Sequence, residues 1–237
     1  MTRKLVAQTL EEPVTERDAD VQYLGRKASR QGSEQRRQAI LDASMRIIVR
    51  DGVRAIRHRA VAAEAQVPLS ATTYYFKDID DLIIDTFALF IERSAANMAA
   101  FWQGAEDELK QIAHYRESDG EALRRMIHHI VEKIIAYVHG ELVHGRERLM
   151  AEQALRLEAL INPRLHALAN AHRRILWRGV DRFFEALGSQ QPFEDAQALI
   201  PLVLRMEYQG LLDGVDNLDI EEWRAVLTRY FCLVMKL

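Results

Sequence analysis

An all-α fold follows from two features of the sequence. The strong helix formers Ala, Leu, Arg, Glu and Gln abound, while the five Pro and eleven Gly are sparse and scattered. No stretch sustains the apolar–polar alternation of a strand. Within that class the expected architecture is a three-helix head with a helix-turn-helix, followed by a larger helical domain. The 237 residues, 49% of them apolar, suffice for one large core or two modest ones.

The elements are expected in this order. Residues 1–33 are polar, mixed in charge and without sustained periodicity, and read as a flexible arm with a basic end at Arg26, Lys27 and Arg30. Ser33 suits an N-cap, and Ile40, Leu41, Ser44, Ile47 and Ile48 give the following helix one inward face. Asp51-Gly52 stops it. A short helix over about 57–65 turns Ala60, Val61 and Ala62 inward. Gln66-Val67-Pro68 breaks it, and Pro68 then permits a third helix at about 69–75.

A long striped helix starts near Ile79 and carries Leu82, Ile83, Phe87, Phe90, Ile91, Met98 and Trp102. Gly104 to Gly120 reads as a connection. Helices are then expected at about 121–139, 145–160, 163–187, 193–213 and 219–236, with Pro201 either kinking the fourth of these or marking its start.

Charge is unevenly spread. Residues 26–77 carry eleven Lys/Arg against four acids, a balance of +7 in a chain of net charge −3, so the remainder holds −10. A basic block on an acidic body has the footprint of a phosphate-binding head. The single Cys232, in an apolar run, excludes an intrachain disulfide framework and reads as a buried thiol in a reducing compartment. No signal-peptide core and no membrane-length apolar run is visible, so a soluble, cytoplasmic protein is expected.

Three helices with a tight break before the last make a helix-turn-helix, whose last helix enters the major groove of double-stranded DNA. Arg57 and His58 sit where free N–H groups of the second helix favour phosphate. Ser70, Ala71, Thr72 and Thr73 are short enough for close approach, and their hydroxyls and methyls match phosphate oxygens, base edges and thymine methyls. Tyr74 and Tyr75 add phenolic donors and Lys77 a charge; Phe76 reads as a core plug.

These residues carry a family resemblance. Arg37-Gln38-Ala39-Ile40-Leu41-Asp42-Ala43, Asp51-Gly52, Val61-Ala62-Ala63-Glu64-Ala65-Gln66-Val67, Ser70-Ala71-Thr72-Thr73-Tyr74-Tyr75-Phe76-Lys77 and Asp81-Leu82 resemble, in order and spacing, the N-terminal domain of the TetR family of bacterial regulators. Gln66 stands where that family usually has a turn Gly, which implies a left-handed non-Gly residue. Ser70 replaces a common Gly. Thr73 occupies the place of a frequent phosphate-contacting Tyr, a contact left to Tyr74 or Tyr75.

The resemblance implies a DNA-binding domain at 34–94 and a ligand-binding and dimerisation domain at 95–237. It also implies a homodimer through about 193–236, a pseudo-palindromic operator, and repression relieved by a small molecule. Leu199, Leu202, Val203, Met206, Leu211, Trp223, Val226, Leu227, Tyr230, Phe231 and Val234 offer apolar surface for the dimer seam. Met98, Phe101, Trp102, Met126, His129, Ile130, Lys133, Tyr137, Met150 and His166 mix aromatic, flexible and polar groups as cavities for an apolar or amphipathic ligand do.

Two other classes explain less. A helical protein–protein adaptor leaves Arg57, His58 and the Thr-Thr-Tyr-Tyr run without a reason. A bundle metalloenzyme needs two Glu-x-x-His units, and only Glu141…His144 is present, between Gly140 and Gly145 where helix continuity is doubtful. Adjacent His128 and His129 face apart, and His166 and His172 are six positions apart. No P-loop, Gly-x-Ser-x-Gly or dinucleotide pattern occurs, so no catalytic residue, metal or cofactor is expected.

Overall fold

The computed structural model describes residues 23–26, 31–115 and 120–237. Of the expected arm, residues 1–22 and the basic Lys27 and Arg30 lie outside the described residues. Among those described, every regular element is helical: α1 (Gln31–Asp51), α2 (His58–Glu64), α3 (Leu69–Tyr75), α4 (Ile79–Tyr115), α5 (Gly120–His144), α6 (Arg146–Ile161), α7 (His166–Trp177), α8 (Val180–Leu187), α9 (Pro192–Asp213) and α10 (Ile220–Val234). None of them is long and apolar enough to cross a membrane.

The expected arm is structured at its end. Leu24 and Gly25 donate their backbone N–H groups to the Asp85 carboxylate at 2.6 and 2.9 Å, and Arg26 N–H donates to the Tyr75 carbonyl at 2.9 Å. Arg37 completes the cluster with a 2.7 Å ion pair to Asp85, both side chains being buried. A Cβ on residue 25 would collide with Asp85 and the Phe76 ring, so only Gly passes here. Helix α1 opens at Gln31, two residues before the expected cap. The Ser33 hydroxyl instead pairs with the Tyr75 phenol at 2.7 Å.

Two helix boundaries differ from the sequence reading. Helix α4 continues through Gly104 to Tyr115, because Leu109 and Ile112 find a place against the body core and repay the extension. The expected helix over 163–187 is split into α7 and α8. Gly179 sits between them at φ 90, its α-carbon pressed so closely by the Trp102 indole that a Cβ would overlap it. Pro201 lies inside α9, which starts at Pro192.

Two apolar clusters form the interior. The first joins α1, α2, α3 and the first half of α4, and continues into Ala151, Leu155 and Ala159 of α6 and Leu168 and Ile175 of α7. The second joins α5 to α8, α9 and α10 around Trp223, Phe184, Leu227 and Phe231. The expected boundary at 94/95 therefore falls inside an unbroken helix, and the head is seated directly on α6 and α7. Arg164, just before α7, adds a 2.7 Å ion pair to Asp81 at the start of α4.

Removing one partner of a buried ion pair leaves the other charge uncompensated. Asp85→Ala is therefore expected to lower stability by about 3–5 kcal/mol, read from urea unfolding. A loss below about 1 kcal/mol would mean that the pair does not hold the head together.

Candidate nucleic-acid interface and buried polar core

The break between α2 and α3 is built by the backbone. Val67 N–H reaches the Ala62 carbonyl at 3.0 Å and Gln66 N–H the Ala63 carbonyl at 3.2 Å, the paired bonds of a Schellman ending. Gln66 occupies the left-handed position at φ 55, as its place in the motif implied. Asp78 then caps α4 by accepting from Asp81 N–H at 2.7 Å.

Helix α3 divides the expected contact residues into two sets. Ser70, Thr73, Tyr74 and Lys77 are exposed, and Ala71 is half-buried. Thr72 is fully buried and donates to the Leu69 carbonyl at 2.8 Å; Tyr75 is 5% exposed, with its phenol on Ser33. These two are thus corrected from contact residues to packing residues. Phe76 is the core plug expected of it, fully buried. Arg26 lies over the Tyr74 ring at 4.5 Å, so the end of the arm borders the exposed face of α3.

Arg57 is exposed at the N-cap of α2, and its guanidinium is held by the Arg54 and Ile56 carbonyls at 2.8 and 2.7 Å. His58 is half-buried, its Nδ1 buried without a partner. Not every head cation is available. Arg46 and Arg50 are bound to Glu64 at 2.8 and 3.1 Å, which holds that carboxyl below its ordinary range. Arg54, Arg59 and Lys77 are exposed and form no ion pair with the described residues. Arg54 and Arg59 entered the sequence reading only as charge.

The expected pocket residues are dispersed. Met126 and Ile130 are buried in the body core, Trp102 and Tyr137 pack against it, and Met98 packs against the head core. His129, Lys133 and His166 are exposed, and Met150 is half-buried. His129 and Lys133 are exposed although they stand three positions from Met126 and Ile130 on α5, so helical spacing alone does not separate them. Cys232 is only half-buried and lines a surface groove of about 490 Å3 beside α10.

What the sequence reading missed is a polar cluster inside the body. Glu152 of α6, His172 of α7 and Glu207 of α9 are all at least 95% buried. Arg156 pairs with Glu152 at 2.8 Å, and Arg148 with Glu141. Burial, reinforced by the Glu152 charge, pushes the Glu207 carboxyl up to about 8. Burial raises Glu152 also. Burial lowers His172 to about 4, assisted by Arg156 and Arg148. Glu141 and His144 end an unbroken α5, with Gly140 inside it, and Glu141 is engaged by Arg148. No group of three His, Cys, Asp or Glu among the described residues is placed to hold a metal ion.

A basic, hydroxyl-rich helix-turn-helix standing on a helical body with a buried polar centre defines a helix-turn-helix regulator. Residues 125–232 match the description "Tetracyclin repressor-like, C-terminal domain". A nicotine-responsive transcriptional repressor, HdnoR of Paenarthrobacter nicotinovorans, is 34% identical over 79 residues, 33% of this chain and 40% of that repressor. A TetR-family structure from Streptomyces coelicolor superposes with a TM-score of 0.58 at 29% identity, covering 83% of this chain and 98% of the other. The multidrug binding protein EbrR, complexed with proflavin, gives 0.51 at 31% identity, covering 82% and 99%. The chain belongs to the TetR family of transcriptional regulators. Members of that family bind operator DNA, dimerise and bind small molecules.

The buried cluster makes stability depend on pH. Unfolded, Glu207 ionises near 4.5; folded, it keeps its proton to about 8, so the folded chain binds the extra proton between and stability falls as pH rises. His172 has the opposite slope from about 4 to its unfolded value of 6.5. The two oppose each other between about 4.5 and 6.5; above that His172 drops out and Glu207 lowers stability as pH rises, Glu152 acting in the same direction. Urea midpoints should drop from pH 6.5 to 8 more steeply for the parent chain than for Glu207→Gln; parallel curves would show that Glu207 is not the group titrating.

Proposed function

We propose that this chain is a homodimeric transcriptional repressor that binds a pseudo-palindromic operator and is released from it by a small molecule. The observation that carries the reading is the outer face of the helix-turn-helix. Ser70, Thr73, Tyr74 and Lys77 stand clear of the core, bordered by Arg26, and Arg54, Arg57 and Arg59 of the same head are exposed. Such a face supplies base-edge hydroxyls in the middle and phosphate contacts around them.

The dimer reading is supported by what α9 and α10 leave outside. Leu199, Met206, Trp223, Leu227 and Phe231 are spent on the chain's own core. Tyr208, Leu212 and Leu233 remain exposed, an apolar set that a second copy would cover. Twofold pairing would place two α3 helices about 34–36 Å apart, one turn of DNA. Release by a ligand is supported by the likeness to EbrR, a multidrug binding protein, and by a body packed against the head through α4 and α6. An apolar or amphipathic ligand suits the aromatic group of Phe101, Trp102 and Tyr137 in the body.

Gel retardation on the DNA upstream of the coding region, across a salt series, tests the reading. Specific retardation with a steep negative salt slope is expected. Lys77→Ala or Arg59→Ala should weaken binding to all sequences and flatten that slope by about one unit. Ser70→Ala or Thr73→Ala should alter which sequence is preferred, at about 1–3 kcal/mol. Tyr75→Phe should leave preference alone and lower stability by about 1 kcal/mol. Loss of retardation in none of these variants would sink the interface as drawn.

The dimer is checked separately by sedimentation. Leu212→Glu combined with Leu233→Glu should yield monomers that retain the parent's helical circular dichroism; a persisting dimer would place the seam elsewhere.

A further inference from the structure

Glu207 has no hydrogen bond or ion pair with the described residues, although it is 5% exposed and faces the interior. A buried carboxyl without a partner is unfavourable, and an apolar side chain of similar size would serve folding better. The surrounding charges do not make up the deficit. Helix α6 brings Arg148, Glu152 and Arg156; α5 brings Tyr137 and Glu141; α7 brings His172. Arg148 is committed to Glu141 and Arg156 to Glu152, while His172 is uncharged at neutral pH. No charge from α8 or α10, which also pack on α9, reaches Glu207 among the described residues. Three carboxyls face two guanidinium groups, and with both of these engaged Glu207 has no cation of its own.

One aromatic ring adjoins the same place and leads outward to two more, Phe101 being partly exposed to solvent. Tyr137, whose phenol senses the Glu207 charge, packs on Phe101 of α4 at 5.0 Å, and Phe101 on Trp102 at 5.1 Å. The Trp102 Nε1–H is buried without an acceptor. A carboxylate beside aromatic faces is the chemistry that holds an ammonium group, through charge on one side and π faces on the other.

We propose that Glu207, backed by Glu152 and adjoined by Tyr137, with Phe101 and Trp102 stacked beyond that ring, anchors the cationic head of an organic monocation, a protonated or quaternary amine on an apolar body. This deepens the regulator reading by naming the class of effector. A cation bound at Glu207 favours the carboxylate, so binding at neutral pH expels a proton. It also parts α9 from α6 and α7, the two helices on which the head is seated.

The test uses the full-length chain and calorimetry with tetraethylammonium, benzyltrimethylammonium and neopentylbenzene, the neutral isostere of the second. At least one cation should bind, and benzyltrimethylammonium should bind at least about tenfold tighter than neopentylbenzene. In buffers of different ionisation heat at pH 7, binding should release close to one proton per chain. Affinity should rise toward about tenfold per pH unit below 8 and level off above it. Glu207→Gln should lose both the preference for charge and the pH dependence while melting as a folded protein, and Glu207→Asp should restore part of both. Failure of both cations to bind, equal affinity for the neutral isostere, or an unchanged preference in Glu207→Gln would each overturn the proposal. A cation that binds through Glu207 yet leaves DNA retardation unchanged would overturn the ligand switch and leave the site standing.

Discussion

The Asp85 carboxylate is the point on which the head is assembled. A buried carboxylate is tolerated only when donors surround it, and here the Arg37 guanidinium and the N–H groups of Leu24 and Gly25 do so. Those donors come from α1 and the chain before it, while Asp85 itself lies on α4. One charge therefore fixes three segments. The consequences reach α3: Arg37 lies over Phe76, Arg26, which follows Gly25, donates its N–H to the Tyr75 carbonyl, and Ser33 takes the Tyr75 phenol. The orientation of α3 is set largely from its buried side, through Tyr75 and Phe76.

The body is joined to that head by packing. Helix α6 shows how. Ala151, Leu155 and Ala159 belong to the apolar cluster that includes α1, whereas Leu149 belongs to the other cluster and Glu152 to the buried polar centre. Side chains one position apart point in different directions on a helix, so a single helix belongs to both interiors. Helix α4 does the same along its length, from Asp85 in the head to Trp102 against Gly179. Dense interiors transmit displacement, and both routes from the body's centre to α1 and α4 run through such interiors.

Much of this was legible in the sequence, for identifiable reasons. The third helix begins and ends where Pro68 and Lys77-Asp78 predict, and Gln66 adopts the left-handed turn its position demands. Local rules govern these features, and local rules are what a sequence displays. The sorting of Thr72 and Tyr75 from Thr73 and Tyr74 was hidden because all four carry hydroxyls. Only the three-residue spacing of the buried pair betrays it. The split at Gly179 depends on an indole seventy-seven positions away, and the arm's attachment depends on Asp85; neither leaves a local trace. Glu152 and Glu207 escaped notice because a charged residue on an amphipathic helix normally belongs to the solvent face. His129, Lys133 and His166 were drawn into the pocket by residue type, which says nothing of which way a helix faces.

The shortness of α3 sets a limit of another kind. Seven residues at about 1.5 Å each make a rod of about 10 Å, the length of about three base-pair steps. Two of its side chains face inward, so the part able to distinguish letters is smaller still. On the proposed reading, one subunit can spell only a very short word, and so short a word recurs by chance throughout a bacterial chromosome. The meaning must lie in punctuation: the same word twice, inverted, at one fixed interval. Whatever changes the interval erases the message while leaving every letter intact, which is why a regulator so built can be governed by its body without altering a single contact residue.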